Sequence, residues 1–453
     1  MFENLLGQEA GGALAADIAG GALPRALLFQ GPAASGKGTA ALELARVLSC
    51  GQRGAWNCAC PSCERHRALT HGDLCLMGAR PFSAELAASE SAFLRESSSA
   101  AAKTLFIRAL RKLLGRFNPI LWEGHRDCAK LSGAAAALEE GLAVFTAAPL
   151  DDLEALSKLT GGLREAALKL ETDGIPGLIP IDQIRKVNWW SRLAPTGKAK
   201  VIIIENAERM LDPAKNSLLK LLEEPPAHTT IVLTSARPRA LLQTVLSRLR
   251  PYRFAARPPE VEREVLRRIF KTGEVKGDGA GAGGSLIAGY LNSFLPVSEE
   301  TLAALAGFFA ASVAAGAGRL LVRQGGGVPP APPPLALLGA IPRGGGNVPE
   351  GLREPKADCK AACDAVLAAA EDFSIPSLFS RFCAALRGRV LAALGEEAAS
   401  PLGLHCIAIW KKESAHADAA VSLYNQKSLA ALERLFTVTA SELAAACARE
   451  AAA

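Results

Sequence analysis

The stretch ALLFQGPAASGKGTAALELARVL, residues 26–48, leaves few architectures open to this chain: a short apolar strand, a loop of small residues, then an amphipathic helix. Gly31 and Gly36 frame the spacing G-x-x-x-x-G-K. In that spacing backbone N–H groups curl round a phosphate, the lysine reaches its outer oxygens and the helix N-terminus adds partial positive charge. The candidate nucleotide contacts are therefore Gly31, Gly36, Lys37, Gly38 and Thr39. The bland alternative is a glycine-rich turn with no ligand. The fold class is α/β with a parallel sheet.

Gly38 stands directly after the lysine, where the Mg²⁺-binding hydroxyl of such loops belongs, and Thr39 follows one place later. The sequence GKGT also occurs in nucleoside monophosphate kinases, so nucleotide binding survives the change while the magnesium ligand stays open. A second strand, Val201 to Ile204, is wholly apolar, as in the buried strand of a parallel sheet, and ends in Glu205-Asn206. Strands of this kind usually end in two acids, one for the magnesium shell and one that orients the attacking water. Here an amide holds the second place, and an amide accepts no proton. Glu208 reads as a charge at a helix start. The run DPAKNSLLKLLEEPP predicts a helix with Asp212 at the N-cap and Pro213 at the first position, stopping before Pro225, and TIVLT (230–234) predicts another buried strand.

Eleven cysteines in 453 residues, with no secretion signal, argue for a reducing compartment, hence a cytoplasmic chain. Four of them, Cys50, Cys58, Cys60 and Cys63, crowd into CGQRGAWNCACPSC. Four thiolates are the ligand set of structural zinc and leave no open position for catalysis. The alternatives are a group of reduced thiols, or one ligand replaced by His66, His71 or Cys75. No apolar run reaches the roughly 18 residues of a membrane span. The net charge of +6 suits a neighbour of DNA and many other partners.

The length implies roughly two to three domains. Residues 1–255 read as the α/β domain, with the cysteine module at 50–63 and a helical insertion at 80–175 that carries no catalytic pattern. Within it, KTLFIRALRKLLGRF (103–117) is an amphipathic helix whose Arg108, Arg111, Lys112 and Arg116 form a solvated basic face or a DNA- or partner-facing one. Residues 256–323 are mostly helical, broken by a flexible GDGAGAGG loop (277–284). The Pro/Gly-rich 324–357 reads as a linker, and 358–453 as a separate helical bundle. Trp189 and Trp190 read as packing.

FENLLGQE, the phosphate loop, the cysteine module, KVIIIENAERM, NSLLKLLEEPP and TVLSRLRPYRF follow one another in the order found in bacterial clamp-loader subunits. The chain resembles the DNA polymerase III clamp-loader AAA+ family, closely over 1–75 and 176–255, and more its delta-prime branch than its gamma/tau motors. The resemblance implies an AAA+ phosphate-loop module with a structural zinc, a helical lid at 256–323 and an all-α collar domain at 358–453 for assembly. It implies ATP with Mg²⁺ as cofactor, Glu205 on the magnesium side, and Asn206 in place of the water-orienting glutamate, so that ATP is held and turned over poorly. It implies that Arg248, in the Ser247-Arg248 pair, is an arginine finger for a neighbouring subunit's ATP; capping a helix end is its bland role. Ile287 in GSLIAGY stands where a motor subunit carries a lid arginine. Gln183, Arg185 and Lys186 match the helix that couples the nucleotide site to DNA. The implied partners are gamma/tau and delta subunits, primed DNA and, indirectly, the sliding clamp, with no membrane and no polymerase site in this chain. The rival readings are an active gamma/tau-type ATPase, a phosphate-loop nucleotide kinase, and a binding module with an empty loop.

Overall fold

Five parallel strands form the sheet that the phosphate-loop strand calls for: β1 (Ala26–Gln30), β2 (Leu74–Gly78), β3 (Lys200–Glu205), β4 (Thr229–Ser235) and β5 (Arg250–Arg253), in the order β2-β3-β4-β1-β5. In this computed structural model the described residues are 1–273, 285–325, 332–341, 350–373, 376–422 and 426–452. They divide into two compact units, Met1–Phe294 and Leu295–Ala453.

Side chains of each strand alternate between two cores, which is why the strands read as continuous apolar runs. Leu28, Cys75, Met77, Ile202, Ile204, Ile231 and Leu233 face one core, together with the helices between β2 and β3. Leu27, Phe29, Leu76, Val201, Ile203 and Val232 face the other, against Leu44 and Ala41 of the helix Lys37–Ser49. β1 pairs with β4 on one side and β5 on the other, so its C-terminal end opens where the chain's connections diverge. That crevice is where open α/β sheets bind ligands.

The 80–175 region is helical as expected, with Ser83–Arg95, Ala100–Leu114, Cys128–Ala147 and Leu153–Gly174 as its longer elements. The helix expected to start with Asp212 as its cap starts one residue earlier, with Leu211 as the cap and Asp212 already helical. The basic face of 103–117 is neither solvated nor free. Arg108 donates to the Arg67 carbonyl, Arg111 pairs with Glu139, Lys112 with Glu85 and Arg116 with Glu205. Charge pattern on one helix cannot reveal this, because every partner lies on another element.

The helical region expected as one lid over 256–323 is divided between the units. Pro259–Phe270 and Leu286–Asn292 stay with the sheet. The long helix Glu299–Gly325 packs with the terminal helices Pro376–Leu394 and Ser428–Ala452. Phe309 meets Phe382 and Phe436 edge-on at 5.7 and 6.1 Å between ring centroids. This helix also corrects the reading that no segment is apolar enough for a membrane span: Glu299–Arg323 passes that test, with 67% of its most apolar window buried inside the protein. Core packing accounts for its composition. Within the expected linker, Pro333–Gly339 is a helix with Leu335 and Leu338 buried; most of the remaining linker, and the GDGAGAGG loop, lie outside the described residues.

Candidate phosphate site and cysteine cluster

After β1 the chain passes through a loop, residues 31–36, into the helix Lys37–Ser49, and tertiary contacts fix two of the loop's glycines. A Cβ on Gly31 would lie 2.1 Å from the Phe254 carbonyl oxygen, because the chain leaving β5 crosses directly behind the loop. Gly36 is left-handed (φ +94°), and a Cβ there would lie 2.6 Å from a guanidinium nitrogen of Arg257. Lys37 begins the following helix, half-buried, and its ammonium folds back to the Gly31 carbonyl at 2.7 Å. Burial lowers its pKa to about 8, with the negative charges of Glu208 and Glu205 opposing that shift. Thr39 is exposed.

Only the ammonium form of Lys37 pairs with phosphate, so affinity for an anion is highest below pH 8 and falls as pH rises through it. A fluorescent ATP analogue titrated between pH 6.5 and 9.5 is expected to show a plateau and then weakening of up to roughly tenfold per pH unit. Lys37→Met is expected to abolish the slope along with most of the affinity.

Glu205 ends β3, buried, beside the loop. Arg80 Nη1 lies 3.4 Å from Oε1, and Arg116 Nη2 pairs with Oε2. Burial pushes this carboxyl up, but the two guanidinium groups outweigh it and hold it below the usual range. Arg80 also pairs with Glu85, whose other oxygen takes Lys112 Nζ at 2.5 Å, and Glu85 is held at about 2 against its burial. Asn206 is left-handed (φ 52°, ψ 53°), a conformation that asparagine tolerates better than glutamate. Its backbone N–H points to Thr234 Oγ1 at 3.4 Å.

Sequence reasoning missed four residues here. Thr234 was signalled only as the last letter of TIVLT. Glu208, read as a helix-start charge, is buried; one of its oxygens accepts from the Ala236 N–H at 3.2 Å and the other has no partner. Arg80 carries no motif. Arg257 spans the loop from behind, donating to the Ala34 carbonyl at 2.7 Å and the Leu6 carbonyl at 2.8 Å, which ties FENLLGQE to the phosphate loop.

Arg248 follows the short helix Gln243–Leu246, donates to the Thr244 carbonyl at 2.7 Å and pairs with Glu223 at 2.6 Å. β1 and β5 run in parallel, with Leu27 beside Arg250 and Gln30 beside Arg253. Arg248 therefore enters at the edge of the sheet opposite the phosphate loop, roughly 13 Å or more away at about 3.3 Å per residue. It does not serve its own loop. Ile287 is buried against Val265, Leu266 and Phe270. Arg185 is exposed, whereas Lys186 is tied to the carbonyls of Leu121 and Glu123 in the insertion. Trp190 is packed, with Lys200 Nζ 4.3 Å from its ring centre, but Trp189 is 58% exposed.

The sulfurs of Cys50, Cys58, Cys60 and Cys63 lie within 4.8 Å of one another. Cys50 and Cys58 are 3.6 Å apart and Cys50 and Cys60 3.9 Å, close to the roughly 3.8 Å edge of a tetrahedron with Zn–S bonds of about 2.3 Å. Arg46, 2% exposed and paired with Glu43 at 2.7 Å, donates to Cys63 Sγ at 3.1 Å, a positive charge suited to a cluster of thiolates. The suggested substitutes lie elsewhere. His66 and His71 stack on each other at 4.1 Å, and Cys75 is a core residue of β2. The donor set fits a tetrahedral thiophilic metal.

Residues 8–258 match the family described as DNA polymerase III, delta subunit. The chain belongs to that family. It is 43% identical over 84 residues to the DNA polymerase III subunit delta' of Escherichia coli, covering 18% of this chain and 24% of the relative. It is 37% identical over 98 residues to subunit delta' of Pseudomonas aeruginosa (21% and 30%). It is 28% identical over 168 residues to subunit gamma/tau of Mycobacterium tuberculosis (34% and 27%). The chain thus spans about a quarter to a third of the length of these relatives. The five-stranded parallel sheet with its helices agrees with the AAA+ fold of the family. The family implies ATP with Mg²⁺. The loop, Lys37 and the helix N-terminus fit a nucleotide's phosphates. The magnesium side does not fit: Gly38 offers no hydroxyl, and both oxygens of Glu205 are engaged by arginine.

Proposed function

We propose that this chain is a delta-prime-like subunit of a DNA polymerase III clamp loader, holding ATP with little or no hydrolysis of its own. The observation that carries the reading is the end of β3. An intact phosphate loop faces an amide at Asn206 and an arginine-bound Glu205, where hydrolysis needs a free acid pair. Its partners would be gamma/tau and delta subunits, with primed DNA inside the assembly and the sliding clamp handled indirectly. Arg248, at the far edge of the sheet, would act on a neighbour's ATP. The cysteine cluster would carry a structural zinc, and the helical unit would serve as the collar for assembly.

Two observations favour rivals in part. Glu208, with a buried oxygen free beside Lys37, is the acid on which a gamma/tau-type motor reading would rest. A nucleotide kinase needs phosphate-gripping arginines, and Arg80, Arg116 and Arg257 are near the loop. Arg257 is, however, spent on backbone carbonyls, and family membership supports the clamp-loader reading.

The test is a single-turnover assay with excess full chain, Mg²⁺ and labelled ATP. Binding with turnover on the order of 10⁻³ s⁻¹ or slower, the range of a phosphate-loop protein without an arginine finger, is expected. Multiple rapid turnovers abolished by Glu208→Gln would replace this reading with the motor.

A further inference from the structure

Glu205 sits in a buried ion cluster that the helical insertion assembles. Arg80 leads into the insertion, and Arg116 lies in its Gly115–Phe117 turn, 125 and 89 residues from Glu205 in sequence. Both guanidinium groups stand over the ring of Phe82, at 5.2 and 5.5 Å from its centre. With Lys112 they bring three positive charges to the carboxylates of Glu205 and Glu85. Glu171, which accepts from the Phe82 N–H and whose pKa burial raises to about 7, adds a partial negative charge beside Arg80, so that an excess of less than one positive charge remains. Arg116 is 4% exposed, and its Nε and Nη1 have no partner. A buried guanidinium with spare donors in a cluster of net positive charge is a site for an anion.

Gly38 belongs to the same arrangement. A Cβ on it would lie 2.7 Å from Glu205 Oε1, so the serine or threonine that supplies a metal-binding hydroxyl has no room while Glu205 keeps its place. The two protein groups that would hold a divalent cation are thus removed together, one by truncation to glycine and the other by pairing with arginine. A divalent ion placed there would meet two fixed guanidinium charges. A triphosphate would meet Lys37, the loop amides and the excess charge of the cluster.

We propose that this chain binds nucleoside triphosphate without a divalent metal, with the Arg80–Arg116 pair supplying the fixed positive charge on the Glu205 side of the phosphates. The inference rests on the nucleotide-binding reading above. It makes Mg²⁺ a competitor for the nucleotide, since ATP chelated in solution must release its ion to enter the site.

The experiment is equilibrium binding of ATP to the full chain, in Mg²⁺ and in excess EDTA. Affinity at least about tenfold tighter in EDTA than in millimolar Mg²⁺ is expected, because a nucleotide captured without its metal must shed the ion first. Affinity equal in the two buffers, or tighter with Mg²⁺, overturns this inference and leaves the nucleotide reading standing, whereas loss of binding in both buffers overturns both. Arg116→Gln is expected to weaken binding in EDTA at least tenfold and to let Mg²⁺ restore part of it. Unchanged binding by a folded Arg116→Gln chain counts against the proposal. Should that variant fail to fold, Arg80→Gln, at a side chain 29% exposed, carries the same expectation. Mn²⁺ gives an independent readout. Adding excess chain to Mn²⁺–ATP is expected to restore the solution EPR spectrum of free Mn²⁺ as ATP is captured alone. Mn²⁺ retained in the complex, for example through the unpartnered oxygen of Glu208, overturns the proposal.

Discussion

Replacing Arg248 by alanine is expected to slow ATP hydrolysis at the adjoining site of a loader reconstituted with gamma/tau-type subunits by roughly 10³-fold, the lower end of what an arginine finger contributes. The guanidinium would neutralise charge on the transferring phosphoryl group, so the loss falls on turnover and not on nucleotide binding. Arg248→Lys is expected to recover little, because an ammonium does not reproduce the planar fork. Folding is expected to survive. Arg248 is partly exposed, and its pair with Glu223 is the kind of surface ion pair that contributes about 0–1 kcal/mol. The measurement is single-turnover hydrolysis by the assembled complex, with thermal denaturation of the isolated chain as the control. A rate within threefold of wild type would leave Arg248 with its local role, capping the helix Gln243–Leu246 through the Thr244 carbonyl.

Stripping metal from the cysteine cluster is expected to have the largest effect on stability. Binding free energy at a structural zinc site is folding free energy, and removing the ion leaves four crowded thiols beside a buried Arg46–Glu43 pair. A loss of about 3 kcal/mol or more corresponds to a fall in Tm of roughly 6–12 °C for a domain of this size. The checks are zinc content of the purified chain, expected at one ion per molecule, and calorimetry with and without a strong chelator. Cys60→Ser is expected to reproduce the chelator's effect, while Cys75→Ala, outside the cluster, is expected to keep its zinc. A chain that contains no zinc and melts identically with chelator would show the four sulfurs to be reduced thiols.

What the sequence by itself determined was local. A strand, six loop residues and a helix N-terminus form a phosphate cradle by backbone geometry within a short stretch of chain, which is why this pattern is legible locally; the cysteine spacing and the strand ending in Glu205 are legible for the same reason. The preference of Asn206 for left-handed backbone is also a local property, although the sequence suggested only a missing acid. The parallel sheet followed from apolar runs buried on both faces, and the helical character of 358–453 from its composition.

What the tertiary structure decided were the charges at the end of β3. Arg80, Arg116 and Arg257 reach their partners across 125, 89 and 223 residues, and nothing local marks them out. Read alone, the helix holding Arg108, Arg111 and Lys112 has the pattern of a wet basic face; in the fold its charges meet acids and carbonyls on other elements. The boundary within 256–323 escaped for a related reason. An amphipathic or apolar helix states that it must be covered, and only the packing says by which neighbour: Glu299–Gly325 is covered by the terminal helices. Local backbone preferences are written in adjacent letters, whereas ion pairs and helix partners depend on distances that the folded chain alone sets.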